Sequence, residues 1–195
     1  MASSADPPTR GRTGLLVEGE SPSFPLEFRR LLRESRGADI ALTRLRITTM
    51  RLREEDVKRI GRIRLLLAEL TTSAWEVETH RALLDARRAP VLRTLITLLD
   101  EGRLQIRAAP LAAWAPDFTV FRGKRRARRA LIGPHWLESS PGKGPRFAML
   151  VSGSDARRVA TRFDTIWGKA YDVGPAVARL LGGTLAAVDR LTPPG

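Results

Sequence analysis

Residues 114–136 restrict the fold of this chain more than any other stretch of it. Asp117 to Phe121 and Ala130 to Gly133 are short apolar segments, a pattern typical of strands. The residues between them hold the densest basic cluster of the chain, which consists of Lys124, Arg125, Arg126, Arg128 and Arg129. The pattern predicts an antiparallel hairpin whose turn is loaded with arginine.

The rest of the chain alternates between helix and strand before residue 110 and then turns to a run of strands. Alternation favours a partly parallel sheet covered on both faces, and the later run favours an antiparallel portion. We therefore predict an α/β fold with a mixed, partly parallel central sheet and helices on both faces. The other predicted strands are Ala38–Ile47, Arg62–Ala68, Leu104–Arg107 and Pro145–Val151. The predicted helices cover Leu26–Leu32, Glu54–Ile60, Trp75–Ala86 and Pro90–Glu101, followed by a long helix capped by Ser154 and Asp155 and a last one from Pro175.

The length and composition favour one domain. A chain of 195 residues can bury a sizeable core. We predict a flexible leader over residues 1–24, a single domain over 25–190 and a frayed end over 191–195. No apolar run is long enough to span a bilayer, and the N-terminus lacks the apolar segment of a signal peptide. The cytoplasm is therefore the expected compartment.

Residue usage limits the chemistry. The chain has no cysteine, which excludes disulfides and thiolate metal sites. His80 and His135 are the only histidines, too few for a histidine-based metal site. We expect neither a metal nor a cofactor.

The charge balance points to a polyanionic partner. The net charge is +13, from 34 basic and 21 acidic residues, and such a field attracts DNA, RNA or anionic lipid. A GC-rich genome explains why nearly all the basic residues are arginine, but it does not explain why basic residues outnumber acidic ones. Lipid is disfavoured, because no predicted helix joins a strong apolar face to a lysine-rich one.

Four segments follow one another in the second half of the chain: Gly102–Arg107, Phe118–Phe121, Arg129–Pro134 and Phe147–Val151, the last followed by Phe163 and Trp167 on a helix. Together with the order of the predicted elements, these segments resemble one repeat of the phospholipase D superfamily across residues 26–173. The family reaction rests on a His-x-Lys-x-x-x-x-Asp motif, in which histidine is the nucleophile and lysine holds phosphate. Two copies of the motif must meet, so the resemblance implies that a chain with one repeat forms a homodimer.

The motif is degenerate in this chain. Aligning it on the matching strand places Ala115 at the histidine, Asp117 at the lysine and Arg122 at the aspartate. A one-residue slip places Pro116 and Phe118 at the first two positions instead. The family's Gly-Ser is replaced by Gly133-Pro134. Covalent catalysis needs an activated nucleophile, and neither alignment supplies one.

His135 leaves an enzymatic alternative open. It follows Gly133-Pro134 at the strand end that borders the family's active site, and Lys143, Arg146 or Asp117 would assist it there. The simpler interpretation is a rim residue packed beside Trp136. His80 is interpreted as a packing or surface histidine.

The basic residues of the hairpin form the first candidate phosphate-binding site, because guanidinium groups grip phosphate in pairs of hydrogen bonds. The competing interpretation is a solvated turn that blocks sheet pairing. Further basic residues are spread along the chain, which favours backbone contact over base reading. They include Lys143, Arg146, Arg29, Arg30, Arg33, Arg36, Arg44, Arg46, Arg62, Arg64 and the pairs Arg87-Arg88 and Arg157-Arg158.

Of the four tryptophans, Trp114 and Trp136 flank the hairpin, where aromatic rings can stack on bases. Trp167 is predicted to lie in the core, and Trp114 and Trp136 are interpreted as packing residues at the open end of the hairpin.

The leading hypothesis is a non-catalytic phospholipase D-like protein that binds nucleic-acid phosphates without sequence preference, as a homodimer. A divergent nuclease or phosphodiesterase using His135 is the first alternative. An accessory subunit of a nuclease, helicase or defence complex, whose basic face meets an acidic protein, is the second.

Overall fold

One eight-stranded sheet organises the computed structural model, which describes residues 14–17, 24–43, 54–57, 59–68, 89–110, 117–123, 128–133 and 147–191. The strands are β1 (Gly14–Val17), β2 (Gly37–Leu42), β3 (Arg62–Ala68), β4 (Leu104–Ala109), β5 (Phe118–Arg122), β6 (Arg128–Ile132), β7 (Phe147–Ser152) and β8 (Tyr171–Asp172). The helices in the described part are α1 (Phe24–Glu34), α2 (Glu54–Val57), α3 (Ala89–Asp100), α4 (Gly153–Lys169) and α5 (Gly174–Leu191).

The sheet is mixed, as predicted. Its spatial order is β1-β7-β6-β5-β2-β3-β4-β8. The centre, β2-β3-β4, is parallel, and every other neighbouring pair is antiparallel. The apolar run of β3 follows from its place between two parallel neighbours, because both faces of such a strand are covered by helices.

Two cores lie on opposite faces of the sheet. Helices α1, α2, α3 and α5 cover one face, where Phe28 meets Phe121 edge to face at 5.2 Å between ring centres. Helix α4 covers the other face through Ala156, Ala160, Phe163 and Trp167. The prediction that Trp167 belongs to the core is confirmed.

The structure corrects several boundaries. Strand β2 ends at Leu42 rather than Ile47, because the Thr43 N–H turns to the carboxylate of Asp117. Helix α4 begins at Gly153 with Ser152 as its N-cap and without a side-chain capping bond, so Ser154 and Asp155 do not cap it. The hairpin strands run from Phe118 to Arg122 and from Arg128 to Ile132, each displaced from its predicted bounds by one or two residues.

Two short strands were not predicted. Strand β1 lies within the expected flexible leader and pairs with β7. Strand β8 follows α4 and pairs with β4 through two residues. The predicted helix Trp75–Ala86 lies outside the described residues.

Candidate nucleic-acid interface

The hairpin β5–β6 has two ends with different chemistry. At its open end, Phe118 is paired with Ile132, and the Gly133 N–H donates to the Asp117 carbonyl at 2.9 Å. At its turn end, Arg122 is paired with Arg128. Asp117 and Arg122 lie about 17 Å apart, since five steps of about 3.3 Å separate them along the extended chain. Asp117 and Arg122, which were aligned with two positions of one catalytic motif, therefore lie at opposite ends of β5.

Asp117 is held at the open end by the chain that leaves β2. Its Oδ1 accepts the Thr43 N–H at 2.6 Å. Burial raises the pKa of the Asp117 carboxyl above its ordinary value, and the hydrogen bonds from the Thr43 backbone and side chain oppose that shift.

Gly133 is required where β6 leaves the sheet. Its φ is +139°, a conformation that side chains disfavour, and an added Cβ would stand 2.7 Å from the Phe147 carbonyl oxygen. The start of β7 thus passes directly against the end of β6, which leaves no space for a side chain at this position.

The turn end of the hairpin belongs to a continuous row of arginines. Arg128, Arg122, Gly37 and Arg62 are register partners across β6, β5, β2 and β3. Arg36 precedes Gly37, and the Arg103 carbonyl accepts the Ile63 N–H where β4 begins. Five neighbouring strands therefore each place an arginine at the same end of the sheet. We call this row, Arg36, Arg62, Arg103, Arg122 and Arg128, the arginine edge.

The arginines of the arginine edge differ in exposure and in the hydrogen bonds and ion pairs that their described guanidinium groups make. Arg36 and Arg62 are exposed, and the Arg62 Nη2 donates to Gln105. Arg103 is tied to the Val57 and Ile60 carbonyls and to Glu101. Among the members of the arginine edge whose side chains are described, Arg36 and Arg62 are thus best placed to meet a phosphate in solution.

A buried carboxylate supports the centre of this edge. Asp39, on β2, is 2% exposed and accepts hydrogen bonds at 2.7 Å from the Nε atoms of Arg64 on β3 and Arg122 on β5. Both arginines also reach Asp164 of α4, whose Oδ1 lies 2.6 Å from Arg64 Nη2 and 3.2 Å from Arg122 Nη2. The four side chains form one network between the sheet and α4.

Aromatic rings fix the orientation of Arg64. Its guanidinium lies 4.8 Å from the Phe163 ring centre and 5.3 Å from that of Trp167. Burial acts to lower the pKa of Arg64, but its hydrogen bonds to Asp39 and Asp164, with their charges, raise that pKa overall. Arg64 therefore stays charged although it is largely enclosed.

The basic face predicted for α1 is largely neutralised. Arg30 pairs with Glu27 and Glu34, and Arg33 pairs with the fully buried Asp56. Arg29 also faces Asp56, at 3.6 Å. Arg29 and Arg33 therefore stabilise the contact of α1 with α2, and Arg30 is paired within α1, so these arginines are poor candidates for phosphate ligands.

The predicted site residues fall into three groups. Arg129 is half-buried, and its guanidinium lies 3.8 Å from Glu34. Arg128 has the backbone position given above, and only its backbone is described. The other predicted residues lie outside the described residues: Lys124, Arg125, Arg126, His135, Lys143, Arg146, His80, Trp114 and Trp136.

Sequence reasoning missed Asp39. An aspartate within a strand otherwise made of Gly, Ala, Ile and Leu is a signal for a buried ion pair, because buried carboxylates are nearly always paired. Its partners stand 25 and 83 residues away, so only the strand register identifies them.

No group of acidic or histidine residues in the described ranges is arranged to hold a metal ion. Among the helices of the described part, none has the length and hydropathy required to cross a bilayer.

Comparison with solved structures identifies the fold. Nuc, a phospholipase D family member from Salmonella typhimurium, superposes with a TM-score of 0.50 over 83% of this chain and 97% of Nuc, at 9% sequence identity. The protein has a phospholipase D-like fold. This confirms the family resemblance of the sequence at the level of architecture.

A second solved structure is also similar to this phospholipase D-like chain. TrmBL2, an archaeal chromatin protein with a novel mode of DNA binding, matches at 15% identity and a TM-score of 0.47. The match covers 84% of this chain and spans 56% of the length of TrmBL2. No protein-family model and no curated protein matches the sequence.

Proposed function

We propose that this phospholipase D-like protein binds the phosphate backbone of nucleic acid, without sequence preference and without cleaving it. The arginine edge is the observation that carries the proposal. It aligns one arginine from each of five neighbouring strands at one end of the sheet. Guanidinium groups recognise phosphate through parallel hydrogen bonds, and contacts of this kind position a protein on nucleic acid without reading bases.

The dimensions of the arginine edge suit a nucleic-acid strand. Neighbouring strands lie about 4.8 Å apart, so five of them span about 19 Å. A duplex advances about 3.4 Å per base pair along its axis, so the row is as long as about five or six base pairs. Lys124, Arg125 and Arg126 join Arg122 to Arg128 in sequence, and we include them in the proposed interface.

The absence of catalysis is proposed from the sequence at the open end of the hairpin. Asp117 occupies the position aligned with the phosphate-binding lysine, and its carboxylate accepts the Thr43 N–H. A carboxylate at that place repels a phosphate. Lys143 and Arg146 are the remaining proposed phosphate ligands. They precede β7, which begins at the open end of the hairpin, and His135 follows Gly133-Pro134, after the end of β6.

We also propose that the protein is a homodimer, as the family resemblance implies. Leu15, Phe147 and Met149 are exposed apolar residues on the neighbouring strands β1 and β7. Contiguous exposed apolar patches are typical of surfaces that bind another protein. Light scattering on the purified chain tests this proposal by its molar mass, and a monomer at all concentrations contradicts it.

The proposed function is tested by the salt dependence of binding. Each phosphate contact contributes about 0.9 to the slope of log K against log salt concentration for B-DNA. The double variant Arg36→Gln/Arg62→Gln should therefore bind a labelled 20-base-pair duplex more weakly than wild type, with a slope shallower by about 2. The labelled duplex is examined on a denaturing gel as well, where it should remain intact.

A matched control distinguishes the effect of where the arginines lie from the effect of the two lost charges. Lys169 and Arg93 are exposed, and Lys169→Gln/Arg93→Gln removes the same charge. Lys169 precedes β8, which pairs with β4 at Ala108, and Arg93 lies near the start of α3, whose other end leads to Arg103, so both are remote from the arginine edge. This control should leave the slope unchanged. Equal slopes for both double variants would refute the interface, and cleavage that disappears in His135→Ala would favour the nuclease instead. Binding to a protein but not to nucleic acid would favour the accessory subunit.

A further inference from the structure

The guanidinium groups of Arg122, a member of the arginine edge, and of its neighbour Arg64 converge on one carboxylate oxygen. Asp164 Oδ1 accepts from Arg64 Nη2 at 2.6 Å and from Arg122 Nη2 at 3.2 Å. Two guanidinium nitrogens that meet at a single oxygen are also an arrangement that binds one oxygen of a phosphate. The carboxylate of Asp164 thus stands where an oxyanion would bind.

The two guanidinium groups do not depend on Asp164 for their position. Asp39, which is buried between them, holds the Nε of each at 2.7 Å. The rings of Phe163 and Trp167 also pack on Arg64. The arginine pair is therefore fixed by the sheet and by the aromatic core, whereas Asp164 only approaches it from the helix.

Asp164 is the most accessible member of the network. Its side chain is 46% exposed, compared with 11% for Arg64 and 2% for Asp39. An exposed carboxylate exchanges its ion pair for water at little free-energy cost, whereas a buried one does not. Rotation of Asp164 towards solvent would free the Nη2 groups of Arg64 and Arg122 from their shared acceptor.

We propose that the Arg64–Arg122 pair is a phosphate oxyanion site, and that Asp164 is an internal competitor which occupies it in the free protein. The part of this inference that assigns the oxyanion to a nucleic-acid backbone rests on the proposed function. An arriving phosphate displaces the Asp164 carboxylate, so the ligand must overcome this internal ion pair. Removal of Asp164 should therefore strengthen binding of phosphate rather than weaken it.

The first test uses inorganic phosphate as the probe. The thermal unfolding midpoint of wild type, Asp164→Asn and Asp155→Asn is measured against phosphate concentration, with sodium chloride at matched ionic strength as the reference. A ligand that binds only the folded state raises the midpoint. Asp155 is the matched control, because it is exposed on α4 and stands nine residues before Asp164, which is about two and a half turns and so the opposite side of the helix.

We expect Asp164→Asn to bind inorganic phosphate about threefold to fivefold more tightly than wild type, as the loss of one partly exposed ion pair implies. Asp155→Asn should show only the smaller effect of one lost negative charge. Equal phosphate responses of the two variants, or a weaker response of Asp164→Asn than of wild type, would overturn the site. Asp164→Asn/Arg122→Lys keeps the charge of the first variant but removes the fork, and it should cancel the gain.

The second test replaces inorganic phosphate by a DNA duplex with blunt hydroxyl ends. A greater gain in duplex affinity for Asp164→Asn than for Asp155→Asn supports entry of a backbone phosphate. A gain with inorganic phosphate but none with duplex would refute that assignment and leave a site for free oxyanions. If no form of the protein binds duplex while the phosphate response persists, the proposed function fails and the oxyanion site stands.

Discussion

Asp39→Asn offers the sharpest test of how the turn end of the sheet is held together. The substitution keeps the size of the side chain but removes the charge that two arginines share. Asp39 is 2% exposed and accepts both Nε–H groups at 2.7 Å. The variant leaves Arg64, itself 11% exposed, with only a partly exposed carboxylate as its acidic partner among the described residues.

The expected loss follows from burial. Removal of one partner from a buried ion pair typically costs about 3–5 kcal/mol, because the other charge remains desolvated. Arg122 is 36% exposed and can recover water, so we place Asp39→Asn near the lower limit, at about 3 kcal/mol. With an m-value of about 3 kcal/mol/M in urea, the midpoint should fall by about 1 M.

The measurement is urea unfolding followed by far-ultraviolet circular dichroism at pH 7, with wild type and Asp164→Asn alongside. Asp164 touches the same arginines but is about half exposed, so its variant should lose less than about 1 kcal/mol. A loss below about 1 kcal/mol for Asp39→Asn, or equal losses for the two variants at unchanged m-value, would refute the buried network as the main support of this edge.

Two further predictions concern the open end of the hairpin. Gly133→Ala should destabilise the protein by at least about 2 kcal/mol, because its Cβ would stand 2.7 Å from the Phe147 carbonyl oxygen in a backbone conformation with φ of +139°. Gly168→Ala, in a helix with open space around it, should instead stabilise it by about 0.5–1 kcal/mol, and thermal unfolding in which both variants shift the same way would contradict this. Asp117→Asn should gain stability relative to wild type as pH rises from below 3.8 towards neutral. The folded state raises the pKa of this carboxyl, so the stability that the protonated group contributes at low pH is lost as it ionises, whereas asparagine cannot ionise. Urea unfolding of both proteins across this pH range measures the difference between their free energies of unfolding. A difference that stays constant with pH would contradict the prediction.

Much of the fold was determined by the sequence alone. The apolar run of β3, the helical spacing of Phe163 and Trp167 on α4 and the two short segments of the hairpin each depend on consecutive residues. Local periodicity records which faces of an element are buried, so a mixed sheet with helices on both sides could be predicted. The strands β1 and β8 could not, because four and two residues are too few to show a period.

The candidate site was decided by tertiary structure. The sequence contains an excess of arginine, but it does not show which arginines pair with buried carboxylates and which face solvent. Arg30 and Arg33 belong to the first kind, and Arg36 and Arg62 to the second. The difference depends on strand register, which aligns residues far apart in the chain, and no local pattern of charge encodes that alignment. The same register brings Asp39 between Arg64 and Arg122 and aligns the arginine positions at the turn end of the sheet.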